Sequence, residues 1–209
     1  MNKEDSEPKN ISRRKFLKGV GTGVIGGAVL PGVLTSEEKK EPSPRHQGKV
    51  LLTLKVNGKA VRLLVEPRTT LAQLLRDHLH LTGAKVTCNH GECGSCTVLL
   101  NGKAVYSCHI LALDAANKEV ITIEGLLAGE KLHPLQEAFI EQDGLQCGYC
   151  TPGQIMAAYA LLLKHPQPTA EQVKEAMAGN LCRCAAYPNI VKSVMAAAEK
   201  TAPKVSKGG

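Results

Sequence analysis

Apolar residues occupy every second position from 50 to 56, and again at 61, 63 and 65 after an Asn57-Gly58 pair. A period of two is that of a strand with one covered face. Asn-Gly between two such runs predicts a β-hairpin with a tight turn. The period then changes: Thr69 or Thr70 can cap a helix on which Leu71, Leu74, Leu75 and Leu79 share one face. A Cys- and Gly-rich loop follows, then a second hairpin candidate, residues 98–100 and 104–106 around Asn101-Gly102, and a last strand at 120–123. The pattern is that of a small β-sheet with one helix, over residues 49–125.

Past Gly125 strand signals give way to helical ones. Helices are predicted over residues 135–141, 152–164, 170–179 and 188–200, with starts marked by Thr151 before Pro152, Thr169 before Ala170 and Tyr187 before Pro188. Short connections favour an antiparallel four-helix bundle over residues 126–200, with 201–209 as a flexible tail. The fold class expected is therefore α+β, a sheet domain followed by an all-α domain.

The N-terminus reads differently. Ser12-Arg13-Arg14-Lys15-Phe16-Leu17-Lys18 precedes a Gly-rich apolar run, which makes residues 1–35 a twin-arginine signal and the expected location the periplasm, reached in the folded state. The apolar run is shorter than the roughly 20 residues a bilayer span needs, so no stable membrane span is expected. Residues 36–48, with Glu37-Glu38-Lys39-Lys40-Glu41 and two Pro, read as a solvated linker.

Composition narrows the function. The 209 residues are 43% hydrophobic but only 3% aromatic, so two small cores built from Leu, Val, Ile and Ala would gain from a metal staple. The formal charge of +7 is spread: residues 1–47 hold nine Lys or Arg against six acids, leaving seventeen against thirteen. No basic run interleaved with aromatics follows, which excludes a nucleic-acid face.

All eight Cys lie between 88 and 184, four in each predicted domain. Cys88, Cys93, Cys96 and Cys108 open with the C-x4-C-x2-C spacing of plant-type [2Fe–2S] ferredoxins. Gly91 and Gly94 let such a loop wrap tightly and turn N–H groups toward sulfur. Cys147, Cys150, Cys182 and Cys184 form a second set, its first pair just ahead of the helix start at Pro152, where the helix dipole faces an anion. Disulfides and zinc compete with iron–sulfur chemistry here. Export of a folded protein argues against disulfides, and the x4–x2 loop is unlike common zinc knuckles. Two oxidised clusters, each carrying roughly −2 with its thiolates, would leave the body near neutral.

At Cys88–Cys96, at Gln146-Cys147-Gly148-Tyr149-Cys150-Thr151-Pro152-Gly153 and at Asn180-Leu181-Cys182-Arg183-Cys184, the chain resembles the iron–sulfur small subunits of the xanthine oxidase family of molybdenum hydroxylases. The periplasmic aldehyde oxidoreductases among them are the nearest in kind. The resemblance implies a β-grasp ferredoxin domain, then a four-helix domain, each holding one [2Fe–2S] cluster. It implies a molybdopterin-type molybdenum cofactor on a separate large subunit, and an FAD-binding subunit or other electron acceptor as a further partner. It also implies that Gln146 hydrogen-bonds the pterin and that the later Cys set stands nearer the molybdenum. One departure is Ala185-Ala186-Tyr187 where the family often has Thr-Gly-Tyr, so the potential of that site is expected to differ.

No catalytic residue is expected on this chain. His90 and His109 flank cluster Cys without a nucleophile or carboxylate at recognisable spacing, and Asn57-Gly58-Lys59 and Asn101-Gly102-Lys103 precede no helix, as phosphate loops must. The rival reading is a free-standing periplasmic [2Fe–2S] shuttle or redox sensor.

Overall fold

The computed structural model describes Arg14 and residues 48–127 and 129–201. The twin-arginine signal expected over 1–35 lies outside the described residues except for Arg14, as do the linker except Gly48 and the tail except Thr201.

Strands β1 (Val50–Val56) and β2 (Lys59–Val65) pair antiparallel around Asn57 and Gly58, whose φ angles of 49° and 79° are those of the primed turn the sequence predicts. β3 (Thr97–Leu100) and β4 (Lys103–Tyr106) make the second hairpin, and β5 (Glu119–Ile121) the closing strand. The sheet order is β2-β1-β5-β3-β4, with β1 parallel to β5 and the other pairings antiparallel. Ile123, expected in the last strand, instead begins a 3-10 turn, Ile123–Leu126.

The inward residues Leu52, Leu54, Val56, Val65, Val98 and Val120 pack on Leu71, Leu74 and Leu75. Those leucines do not lie on a regular helix. After the capping box of Thr70 and Gln73, α1 lasts only Leu71–Gln73 and widens into a π turn, Leu74–His78, in which the Leu79 N–H reaches Leu74 O at 3.1 Å. The widening keeps the leucines buried and sends Arg76 sideways to donate to the carbonyls of Thr82 (2.8 Å) and Ala84 (2.9 Å), at the entry to the Cys-rich loop.

Four helices follow: α2 (Pro134–Glu141), α3 (Thr151–Lys164), α4 (Ala170–Met177) and α5 (Tyr187–Thr201). α2 and α4 pack on α5, and α3 packs on α4 and β3. Their core includes Leu135, Phe139, Met156, Val173, Ile190 and Val194, all at most 1% exposed. Residues 153 to 158 of α3 are all buried, as expected of a helix covered on more than one side. β3 is likewise covered on both faces, with Val98 in the sheet core and Leu99 in the helical core. Both cores belong to one unit, residues 46–209. α4 ends two residues earlier than expected, because the Asn180 N–H turns back to Met177 O and the chain leaves toward the sheet. No described helix is long and apolar enough to cross a membrane.

His133 caps α2: its Nδ1 accepts from Leu135 N at 3.2 Å and its ring meets Tyr159 edge-on at 5.2 Å. Burial holds its pKa below the ordinary 6.5, with Glu137 opposing. Only the neutral ring accepts, so the cap's contribution is complete above pH 6.5 and is lost as pH falls through the lowered folded value. His133→Ala is expected to cost about 1 kcal/mol at neutral pH. Urea unfolding at pH 8 and pH 5 should show a smaller difference between wild type and variant at pH 5.

Candidate metal centres

Between Cys88 and Cys96 the loop wraps back on itself through three residues of positive φ, Asn89 (56°), Gly91 (75°) and Gly94 (71°). This geometry aims the N–H groups of His90, Glu92 and Cys93 at the Cys88 sulfur, that of His90 at 3.4 Å, and they pull the Cys88 pKa down to about 6. Such a cluster of donors is the surrounding of a thiolate rather than of a disulfide sulfur. The Cys93 thiol faces Cys88, and Ser95 Oγ lies 3.6 Å from the Cys93 sulfur. Cys96 and Cys108 are buried and face each other, with Cys108 N 3.5 Å from Cys96 Sγ. Burial, reinforced by the Cys96 thiol, pushes Cys108 up to about 12. Cys108 sits on a 3-10 turn, Ser107–His109, directly after β4, on the sheet side of the loop.

The second quartet is assembled by helix ends. Cys150 is the N-cap residue of α3, and Cys182 and Cys184 lie just before α5. The backbone N–H of Tyr149, helped by the facing Cys184 thiol, holds the Cys147 pKa down. Burial pushes Cys150 up to about 12, with the Cys182 thiol against it. The Cys147 N–H stabilises the Cys184 thiolate, but the facing Cys147 thiol, burial and the nearby Cys147 and Cys182 charges outweigh it, and the net shift is upward. The Cys182 N–H is satisfied by the Tyr187 hydroxyl at 2.8 Å.

All eight cysteines are free thiols, and each quartet consists of two facing pairs: Cys88 with Cys93, Cys96 with Cys108, Cys147 with Cys184, and Cys150 with Cys182. Among the described residues no trio of His, Cys, Asp or Glu side chains closes around a single ion. Two pairs of thiolates fit a two-iron cluster, which takes one pair on each iron.

Gln146 is exposed beside the exposed Cys147, and His90 and His109 are exposed. Ala185, where the family often has Thr, has φ 58°, so the backbone is left-handed at a residue with a Cβ; Ala186, in the Gly position, is buried.

Sequence reading missed the seam between the quartets. The Leu181 N–H donates to Cys93 O at 2.9 Å, and the Asn180 side-chain amide donates to Gly94 O at 2.9 Å and Thr97 Oγ1 at 3.1 Å. Gln154 Nε2 donates to Asn180 O at 2.8 Å, and the Tyr106 hydroxyl to Gly179 O at 2.8 Å. Gly153 opens α3 so close to the first loop that a Cβ there would stand 2.3 Å from Gly94 O. Only the stretch Leu-Cys-Arg-Cys with its preceding Asn hints at this, and nothing in its spacing names Gly94 as the partner.

Residues 54–123 match the family described as 2Fe-2S iron-sulfur cluster binding domain, and residues 122–195 match the [2Fe-2S] binding domain family. Each match contains one quartet, so the fold and sites define a protein with two [2Fe–2S]-binding domains in tandem. The chain is 40% identical to the aldehyde oxidoreductase iron–sulfur-binding subunit PaoA of Escherichia coli K12, over 95% of this chain and 93% of that one. It is 46% identical to the nicotinate dehydrogenase small FeS subunit of Eubacterium barkeri, over 74% and 98%. Quinoline 2-oxidoreductase of Pseudomonas putida 86 superposes with a TM-score of 0.70 at 42% identity, covering 72% of this chain and 94% of that chain. The aldehyde oxidoreductase of Desulfovibrio desulfuricans superposes at 0.69 and 46% identity, covering 72% of this chain and 17% of that one. The chain belongs to the iron–sulfur small subunits of the molybdenum hydroxylases.

Proposed function

We propose that this chain carries electrons from a molybdopterin-type molybdenum cofactor on a separate large subunit, through two [2Fe–2S] clusters, to an FAD-binding subunit or other acceptor. Cys88, Cys93, Cys96 and Cys108 hold one cluster, and Cys147, Cys150, Cys182 and Cys184 the other. The observation that carries this reading is the division of both quartets into facing thiol pairs joined by a hydrogen-bonded seam. The cluster, when bound, supplies one-electron chemistry. The chain supplies the thiolates, the N–H groups on Cys88 and Cys147, and the insulation around Cys96, Cys108 and Cys182. The match to only 17% of the longer Desulfovibrio chain supports assigning the remaining machinery to partner subunits here.

In this reading residues 49–125 are a β-grasp ferredoxin-like domain and residues 126–200 a four-helix bundle domain. Exposed Gln146 and Cys147 face the large subunit, with Gln146 hydrogen-bonding the pterin, and the later quartet is the first acceptor. The likeness to PaoA over nearly the whole chain supports substrates of the aldehyde class. The test of the core of the proposal is composition: purified chain should hold about four Fe and four acid-labile sulfides. Stoichiometric zinc with no visible absorption would overturn it.

The chain works in the periplasm, exported folded through the signal at Arg13 and Arg14. Replacing both by Lys is expected to leave a folded, cluster-loaded protein in the cytoplasm, since the signal is an address and no part of the fold. Undiminished recovery from the periplasm would dismiss the signal.

A further inference from the structure

We propose that Asn180 is a positioning residue for electron exchange between the two quartets, its buried amide holding the Cys93 carbonyl against the Leu181 N–H. The inference rests on the reading of both quartets as cluster sites. Cys93 belongs to the first quartet, and Leu181 immediately precedes Cys182 of the second. Their 2.9 Å hydrogen bond therefore joins the two sites by backbone alone, between residues far apart along the chain. The step it serves moves one electron: one site is oxidised as the other is reduced, and no atom or proton changes place.

Asn180 fixes this contact from both sides. It is 4% exposed, and its side-chain amide spans Gly94 O and Thr97 Oγ1 on the loop that carries Cys93. Its own carbonyl is tied to Gln154 of α3, and its N–H to Met177 at the end of α4. Leu181 N is thus aimed by a residue whose backbone and side chain are both pinned. Gly94 matches it: a Cβ there would stand 2.6 Å from the Asn180 side chain. A buried amide that served packing alone would be replaceable by an apolar side chain at no loss, whereas this one is spent on two acceptors in the opposing loop. The Tyr106 hydroxyl bond to Gly179 also crosses the seam but bypasses the Cys93–Leu181 contact, and it provides the control.

The experiment compares Asn180→Ala and Tyr106→Phe with wild type in the assembled, cluster-loaded complex. Iron and sulfide are measured first, then the rate of electron equilibration between the clusters after pulse reduction, then the spin–spin splitting of the fully reduced state by electron paramagnetic resonance. A wild-type complex without iron refutes the cluster reading itself and is distinct from any result on Asn180. With clusters loaded, Asn180→Ala is expected to slow equilibration several-fold, because the Cys93–Leu181 contact is no longer held at 2.9 Å. Its splitting should change too, while Tyr106→Phe keeps both rate and splitting. An unchanged rate in Asn180→Ala, or equal slowing in both variants, overturns the proposal. Should Asn180→Ala fail to load, Thr97→Val, which removes one of the two acceptors, decides: slowing supports the proposal, and a wild-type rate overturns it.

Discussion

When substrate is added to the assembled enzyme, a Cys150→Ser chain is expected to leave its remaining cluster oxidised on the turnover timescale, although molybdenum is still reduced. A Cys93→Ser chain should give the opposite result, with the later cluster reduced by substrate and delivery to the final acceptor lost. The asymmetry follows from the placement of the quartets. Cys147 is exposed next to Gln146 at the face assigned to the large subunit, whereas Cys93 sits on the first loop and meets, across the seam, the N–H of Leu181, the residue before Cys182. Electron paramagnetic resonance of samples frozen after substrate addition identifies which centre is reduced. Normal reduction of the remaining cluster in Cys150→Ser would show that the later quartet is not the first acceptor.

Gly153→Ala is expected to be the most damaging substitution of a single methyl group. The new Cβ would meet Gly94 O at 2.3 Å and the Ser95 Cα at 3.0 Å, which are backbone atoms of a loop already held by Asn180 and Thr97. They cannot step aside as a flexible side chain would, so α3 must move off the loop. The expected cost is about 3 kcal/mol, the upper part of the overpacking range. That corresponds to ~6–12 °C in the unfolding midpoint for a chain of this size. Gly102→Ala meets open space at a φ of 75° and should cost about 1 kcal/mol, from backbone strain alone. Thermal unfolding of both variants, followed by circular dichroism, separates the two costs. Equal midpoints would mean that the seam is looser than described.

The strands, the turns and the helix starts were legible because each is set by neighbours in sequence. Asn57-Gly58 and Asn101-Gly102 can take positive φ at both turn positions, and Thr70 and Thr169 accept from residues three further on. The tight C-x4-C-x2-C and C-x2-C runs were readable for a similar reason, since each lies within one short loop. What was not legible lies between segments. The pairing inside the later quartet carries no local signal: Cys147 and Cys150 each face a thiol beyond α4, with Cys150 at the N-cap of α3. The π turn was hidden because Leu71, Leu74, Leu75 and Leu79 fit an ordinary helix equally well. Asn180 carries no local signal: its partners are 83 and 86 residues away, and no periodic pattern encodes a hydrogen bond over that separation.

β3 has burial on both sides, Val98 facing one core and Leu99 the other. A wall common to two rooms cannot be assigned to either, and a fragment ending after β5 would leave Leu99, and Ile121 packed beside it, facing water where helices had covered them. Two sites that chemistry treats as separable stations are therefore mechanically one object. Whatever loosens the helical half is felt directly in the strand from which the first loop hangs.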